Sequence, residues 1–406
     1  MRILYADVNI KYINPTANLA PALMRTISPN ITFFGPGFVS EEVIKLGLQK
    51  WCETTGPYDV LIVGNWTPII VDEFESSIDR MGIFLKKYAV TTFKAHLAKT
   101  YIQDIQKNLP NIEVPTKIYY GLAYDYFATS ERQIEKIEKN NLYLISPNHQ
   151  FSQKLEELPS YAKLEPYYEK KITQNRISNT WYDFVSNNPQ KIITATHFIA
   201  PDEFHFTALA ERKHLVSVPG ALYHLRKEAI KALNSKGYSN ARFSIYNNIY
   251  RIASRLGVNV YGRPIPLKLY NFLFSETLSN SKFIYTARGS FGTPVRKFFE
   301  IPAAGAFLIC VPCSGYDELG FVDNKHYIHA TPNDVCDVIQ EFTSKPDEAQ
   351  DIAHAGSKLV AQSHSLNARA NQISSCLKQI IKGNYLGSHW DKGTYIVDKN
   401  EKSFES

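Results

Sequence analysis

The sequence has little cysteine, no long apolar run and no dense cluster of basic residues. Five cysteines in 406 residues are few and odd in number, which argues against a disulfide framework and favours reduced thiols in the cytoplasm. The longest uncharged apolar stretch, 301–313, is shorter than the roughly 20 residues that a membrane-spanning helix needs. The net charge of +6 is spread along the chain, so nothing indicates specific nucleic-acid binding, and any membrane contact would be peripheral.

Three ligand-binding motifs are also missing. No Asp-x-Asp is present to hold Mg²⁺ or Mn²⁺ against a diphosphate, so neither a metal nor another cofactor is expected. No G-x-x-x-x-G-K-[ST] is present, which argues against a P-loop. After the first strand-like run the chain reads Asp7-Val8-Asn9-Ile10, whereas a dinucleotide-binding dehydrogenase carries G-x-G-x-x-G at that point.

What the chain does contain is a repeated alternation of short apolar runs with helical patterns. Early runs of strand length are Ile3–Ala6, Ile31–Phe34 and 59–63. One helix is predicted from a Ser40 cap through Trp51, and another at Glu131–Lys139. Strands that alternate with helices are typical of a parallel, doubly wound sheet. A second series of the same kind begins at 215, and the length of 406 residues favours two domains. The sequence therefore predicts an α/β protein with two tandem Rossmann-like domains that face a cleft.

The apolar pattern also suggests where the domains divide. The first domain is predicted at 1–197, within which 151–190 is an insertion or a peripheral helical pair. A linker follows at 198–214, where the pattern breaks. The second domain is predicted at 215–383, and the tail 384–406 either frays or crosses back to the first domain.

The most informative segment is 286–308, TARGSFGTPVRKFFEIPAAGAFL. It runs from a strand through a loop with flexible glycines such as Gly292 into a helix whose first turn carries Glu300. Such a loop can wrap a phosphate, and Arg288 and Arg296 can make bidentate contacts to phosphate oxygens. A carboxylate just inside the helix can accept hydrogen bonds from a ribose diol. The segment predicts a site for a nucleoside diphosphate, while each charge taken singly is equally compatible with a helix cap or a solvated position.

The run from 296 to 305 reads R-x-F-x-E-x-x-A-x-G and precedes an apolar strand. It resembles the donor-site signature of the two-lobed, metal-independent glycosyltransferases of group 1 (GT-B type), in particular the branch of spore-maturation-protein-like enzymes. The segment SVPGALYHLRKEAIKAL resembles the opening of the second lobe in that family, with Gly220 and Arg226 at the matching positions. The likeness covers about 215–381. One departure is Gly292, since the larger family often has a second glutamate at that position.

The resemblance implies the fold and the chemistry of the second domain. The protein would move a sugar from a nucleoside-diphosphate sugar, which is a substrate and not a cofactor, to an acceptor bound by the first domain. Glu300 would bind the ribose hydroxyls, Arg296 the pyrophosphate, and Gly305 would allow close packing behind them. The donor-binding set that the resemblance implies is completed by Lys297, Arg288, Arg226, Gly220 and Gly292.

The catalytic base of such a transfer is expected at the carboxyl ends of the strands of the first domain. An inverting enzyme needs a base that deprotonates the acceptor hydroxyl, and every such enzyme must stabilise the departing diphosphate. Three residues that follow predicted strands are candidates for the base: His197, His149 and Asp7. Asn65 and Trp66, which follow the third strand, are candidates for the acceptor pocket.

Two other functions stay open on the sequence. A nucleotide-sugar epimerase or hydrolase on the same scaffold would need no separate acceptor. A non-catalytic glycan- or nucleotide-binding protein is compatible with the glycine at 292, where the larger family often carries a glutamate.

Overall fold

Two parallel sheets form the centres of two lobes in the computed structural model of the chain. The structure describes residues 1–9, 15–64, 66, 67, 69, 95–121, 129–146, 150, 151, 153–158, 160, 178–220, 224–238, 249, 252, 264–289 and 292–400. The strands of the first sheet are β1 Ile3–Ala6, β2 Ile31–Phe34, β3 Val60–Val63, β4 Thr116–Tyr120, β5 Leu142–Ser146 and β6 Ile192–Thr194. Those of the second sheet are β7 His214–Ser217, β8 Ser281–Ala287, β9 Phe307–Val311 and β10 Ile328–His329.

Both sheets are parallel, and the first has the strand order of a doubly wound fold, while the described strands of the second follow one another in consecutive order. The first runs β2-β1-β3-β4-β5-β6 and the second β10-β9-β8-β7, with parallel pairing throughout. Every residue of β1 and β3 is buried, because helices cover both faces of the sheet. Within β1, Leu4 and Ala6 belong to one apolar cluster, while Ile3 and Tyr5 belong to the cluster on the opposite face. The predicted α/β fold with two Rossmann-like units is confirmed.

The helices alternate with these strands along the chain. Those of the first lobe are α1 Pro15–Ile27, α2 Glu41–Leu46, α3 Leu48–Thr55, α4 Ala95–Asn108, α5 Glu131–Lys139 and α6 Thr180–Asn187. The helices that follow the linker are α7 His224–Ser235, α8 Pro264–Asn280, α9 Lys297–Ala303, α10 Val335–Ser344, α11 Pro346–Ser363 and α12 Leu366–Ile381. Of the predicted insertion at 151–190, the described parts hold α6 and the short 3-10 turn Leu155–Glu157.

The single helix predicted from Ser40 through Trp51 is wrong, since the structure has two helices there. Gly47, which separates α2 from α3, has φ +87°, a conformation that favours glycine. The Asp104 carboxylate accepts a hydrogen bond from the backbone N–H of Leu48 at 2.7 Å and so caps α3. A Cβ on Gly47 would lie 2.8 Å from the same carboxylate. The apolar stripe continues across the break, which is why the periodicity alone predicted one helix.

Helix α12 belongs by packing to the first lobe, although it follows the second lobe in sequence. Its buried face, which includes Ala370, Ile373 and Leu377, lies in the apolar cluster that covers the first sheet. The second domain was predicted to continue to 383, whereas the return to the first lobe begins at about 364. There His364 and Leu366 exchange backbone hydrogen bonds with Ile199 at 3.0 and 2.9 Å. The two segments that join the lobes therefore run side by side.

The chain after α12 forms a hairpin that is attached to the first sheet. Its strands are β11 Tyr385–Asp391 and β12 Thr394–Lys399, which pair antiparallel. The Tyr385 hydroxyl donates to the Ile192 carbonyl at 2.6 Å, and the Thr194 N–H donates to the Ser388 hydroxyl at 2.9 Å. Up to residue 400, the tail is attached to the first lobe and also contacts the second, where Trp390 joins the apolar cluster and the Gly393 N–H donates to the Glu318 carbonyl at 2.8 Å. Among the described helices, none has the length and apolar character that crossing a membrane requires.

Candidate active site

Helix α9 carries the charged residues of the predicted donor site and is held in place by two special contacts. Pro302 has no N–H, so the Phe298 carbonyl lacks its usual partner one turn later. The Tyr316 hydroxyl donates to that carbonyl at 3.1 Å instead. Beyond the helix, Gly305 has φ +66°, and a Cβ there would lie 2.8 Å from the His205 carbonyl oxygen. A glycine is therefore required where the linker crosses the end of α9.

Four charged side chains form a row at the start of α9, in the order Glu203, Arg296, Glu300 and Lys297. Arg296 Nη2 donates to both oxygens of Glu203, at 2.7 and 2.5 Å, and Arg296 Nη1 pairs with Glu300 Oε1. Glu300 Oε2 accepts no hydrogen bond from the described residues, and Lys297 Nζ lies 3.8 Å from it. Burial disfavours the charged form of Glu300, but Arg296 and Lys297 hold its pKa below the usual value.

This row changes the expectation for Arg296. The predicted contact of Arg296 with a pyrophosphate assumed that the guanidinium was available. In the structure both of its terminal nitrogens already face carboxylates, and 8% of the side chain is exposed. The contact with a pyrophosphate stays a prediction, and an anion would have to compete with Glu203 for it.

Lys297 lies between the glycine loop after β7 and helix α8. A Cβ on Gly220 would lie 2.2 Å from Lys297 Cε, so the lysine side chain would have to move, and the φ of +91° favours glycine at that position. Lys297 Nζ lies 5.0 Å from the centroid of the Phe274 ring. Burial, reinforced by the positive charges of Arg226 and Arg296, lowers the pKa of Lys297 to about 8. The ammonium is thus charged at neutral pH, and the Glu300 carboxylate partly compensates its charge.

Arg226 is buried at the first turn of α7 and points to the end of β8. Its Nη2 donates to the Thr286 hydroxyl at 2.8 Å. Its charge acts on Lys297, which places the two cations in the same neighbourhood. The structure thus brings together Gly220, Arg226, Lys297 and Glu300, four residues that the sequence assigned to one site from two segments 71 to 80 residues apart.

A cavity of about 270 Å³ opens next to Glu300. Its wall comes from α1 of the first lobe, from the linker, from α8 and from α9. It combines carboxylate, imidazole, amide and hydroxyl groups with apolar side chains. The lining residues are Leu19, Ala200, Asp202, Glu203, His205, Asn271, Phe274, Ser275, Leu278 and Glu300.

His197 follows β6 and faces the donor motif. Burial and the charges of Arg296 and Arg369 lower its pKa to about 4, while Glu300 acts in the opposite direction. The His197 ring centroid lies 6.2 Å from that of Phe299. Its imidazole is neutral at pH 7 and able to accept a proton, but the low pKa makes it a weak base. His149, the other histidine candidate, lies outside the described residues.

Asp7, the third candidate base, lies at the end of β1 with both carboxylate oxygens engaged. The Tyr5 hydroxyl donates to Oδ2 at 2.8 Å and the Thr67 hydroxyl to Oδ1 at 3.0 Å. Backbone N–H groups of Val8 and Trp66 also donate to it. Burial raises the pKa of Asp7 to about 7, in the range that suits acid-base chemistry. Its contacts tie down the loop that follows β3 and carries Trp66, while Asn65 lies outside the described residues.

The buried Asp7 carboxylate predicts an unusual pH dependence of stability. Its folded pKa of about 7 lies above the ordinary aspartate pKa of 3.8, so its ionisation costs stability as pH rises from 4 through 7. We expect Asp7→Asn to become more stable relative to the wild type over that range, by up to roughly 4 kcal/mol at about 1.36 kcal/mol per pKa unit. Urea unfolding at pH 4.5 and 8 measures this, with the exposed Asp351→Asn as control. A difference that does not change with pH would contradict it.

Gly292 and Arg288 lie in the loop before α9. Gly292 has φ +73°, and a Cβ there would lie 2.3 Å from Gln153 Oε1, a side chain of the first domain. The glutamate that the larger family often carries at this position would therefore be strained by this φ, and the Gln153 side chain would have to move aside. The backbone N–H of Arg288 donates to the Val311 carbonyl at 3.1 Å, at the edge between β8 and β9.

Sequence reasoning missed Glu203 and Phe274. Glu203 follows Pro201 in a linker that the pattern showed only as irregular, and its partner Arg296 is 93 residues away. Phe274 lies on a helix whose apolar residues are distributed all around it, so periodicity did not single it out. The one local signal was Pro201-Asp202-Glu203, a sequence that starts a short helical turn.

The second lobe resembles a known protein family. Residues 226–375 match the family described as "Glycosyl transferase-like". The matched span contains Arg226, Arg288, Arg296, Lys297 and Glu300 and ends within α12. The match confirms the predicted likeness of the second lobe to glycosyltransferases. No protein of curated function matches the sequence.

Several solved structures have a similar course of the chain at low sequence identity. HepE of Anabaena, solved with UDP and glucose, is 11% identical over 93% of this chain and 99% of its own, with a TM-score of 0.48. A glycosyltransferase of Rickettsia africae is 11% identical over 94% and 99%, with a TM-score of 0.48. Sucrose-phosphate synthase of Thermosynechococcus elongatus is 10% identical over 94% and 100%, with a TM-score of 0.47.

Proposed function

We propose that the protein is a glycosyltransferase of the group 1 type that takes a sugar from a nucleoside-diphosphate sugar. The observation that carries the proposal is the environment of Glu300. Glu300 lines the cavity, and its buried Oε2 lies 3.8 Å from Lys297 Nζ, inside the segment that matches a glycosyl transferase-like family. This oxygen accepts no hydrogen bond from the described residues, which is costly for a buried carboxylate, and a ligand hydroxyl would satisfy it. The run from 296 to 305 supports the spore-maturation-protein-like branch.

The donor is proposed to bind with its nucleoside in the cavity and its diphosphate beside Lys297. The ribose diol would donate to Glu300 Oε2. The backbone at Gly220 lies close to the Lys297 ammonium, and Arg226 adds a second positive charge nearby. Two cations at this point can balance the diphosphate, so we propose that no metal ion is needed. The five unpaired cysteines support action in the cytoplasm.

The reaction breaks the bond between the anomeric carbon and the diphosphate oxygen and forms a bond between that carbon and an acceptor oxygen. The departing diphosphate keeps the electron pair, and Lys297 stabilises its charge. The acceptor hydroxyl loses its proton to a base of the first lobe. His197 is the candidate that faces the donor motif, because its imidazole is neutral and interacts with both Arg296 and Glu300.

Thermal-shift measurements with UDP, GDP, ADP and CMP test the donor site. A nucleotide that binds only the folded protein raises the melting temperature, by an amount that grows with its concentration over Kd. At least one diphosphate is expected to do so. Mixing the matching nucleotide sugar with and without candidate acceptors then separates transfer from hydrolysis or epimerisation, which proceed without an acceptor. If no diphosphate shifts the melting temperature, the proposal is wrong.

The low pKa of Lys297 predicts that nucleotide binding weakens in mild alkali. The free protein loses the Lys297 proton near pH 8, and the protonated form is the one that attracts a diphosphate. We expect the Kd of the wild type to rise about tenfold per pH unit above that value. Lys297→Met should bind weakly at pH 7 and lose this dependence, while Lys268→Met, at an exposed position on α8, should keep it. Calorimetry between pH 7 and 9.5 provides the comparison, and parallel pH profiles of the wild type and Lys297→Met would refute it.

A further inference from the structure

The linker between the lobes supplies a charged side chain to the donor helix. Glu203 lies at the end of the turn Pro201–Glu203, between Phe198, in the core of the first lobe, and Phe204, which packs against the core of the second. Its carboxylate is oriented locally, because Oε2 accepts a hydrogen bond from the Ala200 N–H at 2.8 Å. Both of its oxygens lie within 2.7 Å of Arg296 Nη2.

Arg296 connects this carboxylate to Glu300. Its planar guanidinium offers Nη2 to Glu203 and Nη1 to Glu300, so the position of one carboxylate constrains the other. The Arg296 Nε has no hydrogen-bond partner among the described residues. An arginine with a single carboxylate partner favours a two-pronged pair that uses both carboxylate oxygens. Without Glu203, Nη2 would be held by the longer hydrogen bond to the Phe198 carbonyl, at 3.4 Å, and the guanidinium would be less constrained against turning to cover both oxygens of Glu300.

We propose that Glu203 is a positioning residue of the donor site that keeps Glu300 Oε2 available for the nucleotide. Its side chain lines the cavity, but its effect on the nucleotide is exerted through Arg296. The inference rests on the proposed function, since it assumes that Glu300 binds the ribose. The linker would then contribute to the donor site. A movement of the lobes that displaces the turn at Glu203 would change the orientation of the Glu300 carboxylate.

Glu203→Gln tests the proposal in the full chain. This change keeps the size of the side chain and removes the charge that holds Arg296 Nη2. The affinity for the best-binding nucleotide among UDP, GDP and ADP is expected to fall about tenfold, the effect of losing one hydrogen bond to a charged group. Glu211→Gln, at an exposed position in the same linker, should bind like the wild type. Glu203→Asp, which keeps the charge, should recover part of the affinity.

A double-mutant cycle with Glu300→Gln separates positioning from direct contact. If Glu203 acts only through Glu300, Glu203→Gln has no further effect on nucleotide affinity once Glu300 is glutamine. A full tenfold loss in that background means that Glu203 touches the nucleotide and overturns the positioning role. Unchanged affinity in the single Glu203→Gln variant overturns it as well. A wild type that binds none of the three diphosphates refutes the proposed function itself, which distinguishes the two failures.

Discussion

Replacing Glu300 by glutamine is expected to abolish most of the affinity for a nucleoside diphosphate while the protein stays folded. Hydrogen bonds that involve a charged group contribute roughly 1.5–3 kcal/mol, which corresponds to about a 10- to 150-fold increase in Kd. Glutamine keeps the volume of the buried side chain but replaces the carboxylate with a neutral amide. Arg296 would still face the carboxylate of Glu203, so its charge would not be left without a partner.

Calorimetric titration with the best-binding diphosphate measures this effect. The melting temperature of Glu300→Gln without ligand should stay within a few degrees of the wild type, which shows that the loss belongs to the site and not to unfolding. Glu318→Gln provides a control outside the charged row. Wild-type affinity in Glu300→Gln would remove the main support for the proposed donor site.

Much of the fold could be predicted because it depends on local patterns. The apolar run of β1, bounded by polar residues, and the helix α5 were predicted at the bounds that the structure shows. For α5 the reason is visible: Ser130 caps the helix and Gln133 returns the contact, a signal contained within four residues. The charged residues around α9 were also predicted as a group, since Arg296, Lys297 and Glu300 are neighbours on one helical turn.

What could not be predicted depends on contacts between distant segments. The amphipathic pattern of α12 shows that one face is buried but not which sheet it covers, so its place on the first lobe was missed. The same holds for Glu203 in the linker, whose partner Arg296 lies 93 residues away in the second lobe. The sequence showed Arg296 as a cation suited to a phosphate, whereas in the structure it forms ion pairs with the carboxylates of Glu203 and Glu300. A local motif can identify the type of ligand, but the orientation of each charge depends on long-range packing.

Replacing Arg296 by methionine is expected to destabilise the whole protein, in addition to any effect on binding. The guanidinium compensates two carboxylates, of which Glu300 is 6% exposed and Glu203 26% exposed. Removing one partner of a buried ion pair costs about 3–5 kcal/mol, because the remaining charge is left without compensation. Methionine fills most of the space, so the loss reflects charge more than cavity formation.

Two measurements test whether an uncompensated charge causes this loss of stability: its pH dependence and the effect of a second substitution. Without Arg296, burial should raise the pKa of Glu300, so its ionisation costs stability above that pKa, and the deficit of Arg296→Met should shrink as pH falls from 8 to 5. Arg296→Met combined with Glu300→Gln should recover part of the stability at pH 8, since the orphaned buried charge is then gone. Urea unfolding of the wild type, Arg296→Met, Glu300→Gln and the double variant at both pH values measures these differences. A deficit that is independent of pH and unrelieved by Glu300→Gln would mean that Arg296 stabilises the fold by packing, and the row of charges would lose its assigned role.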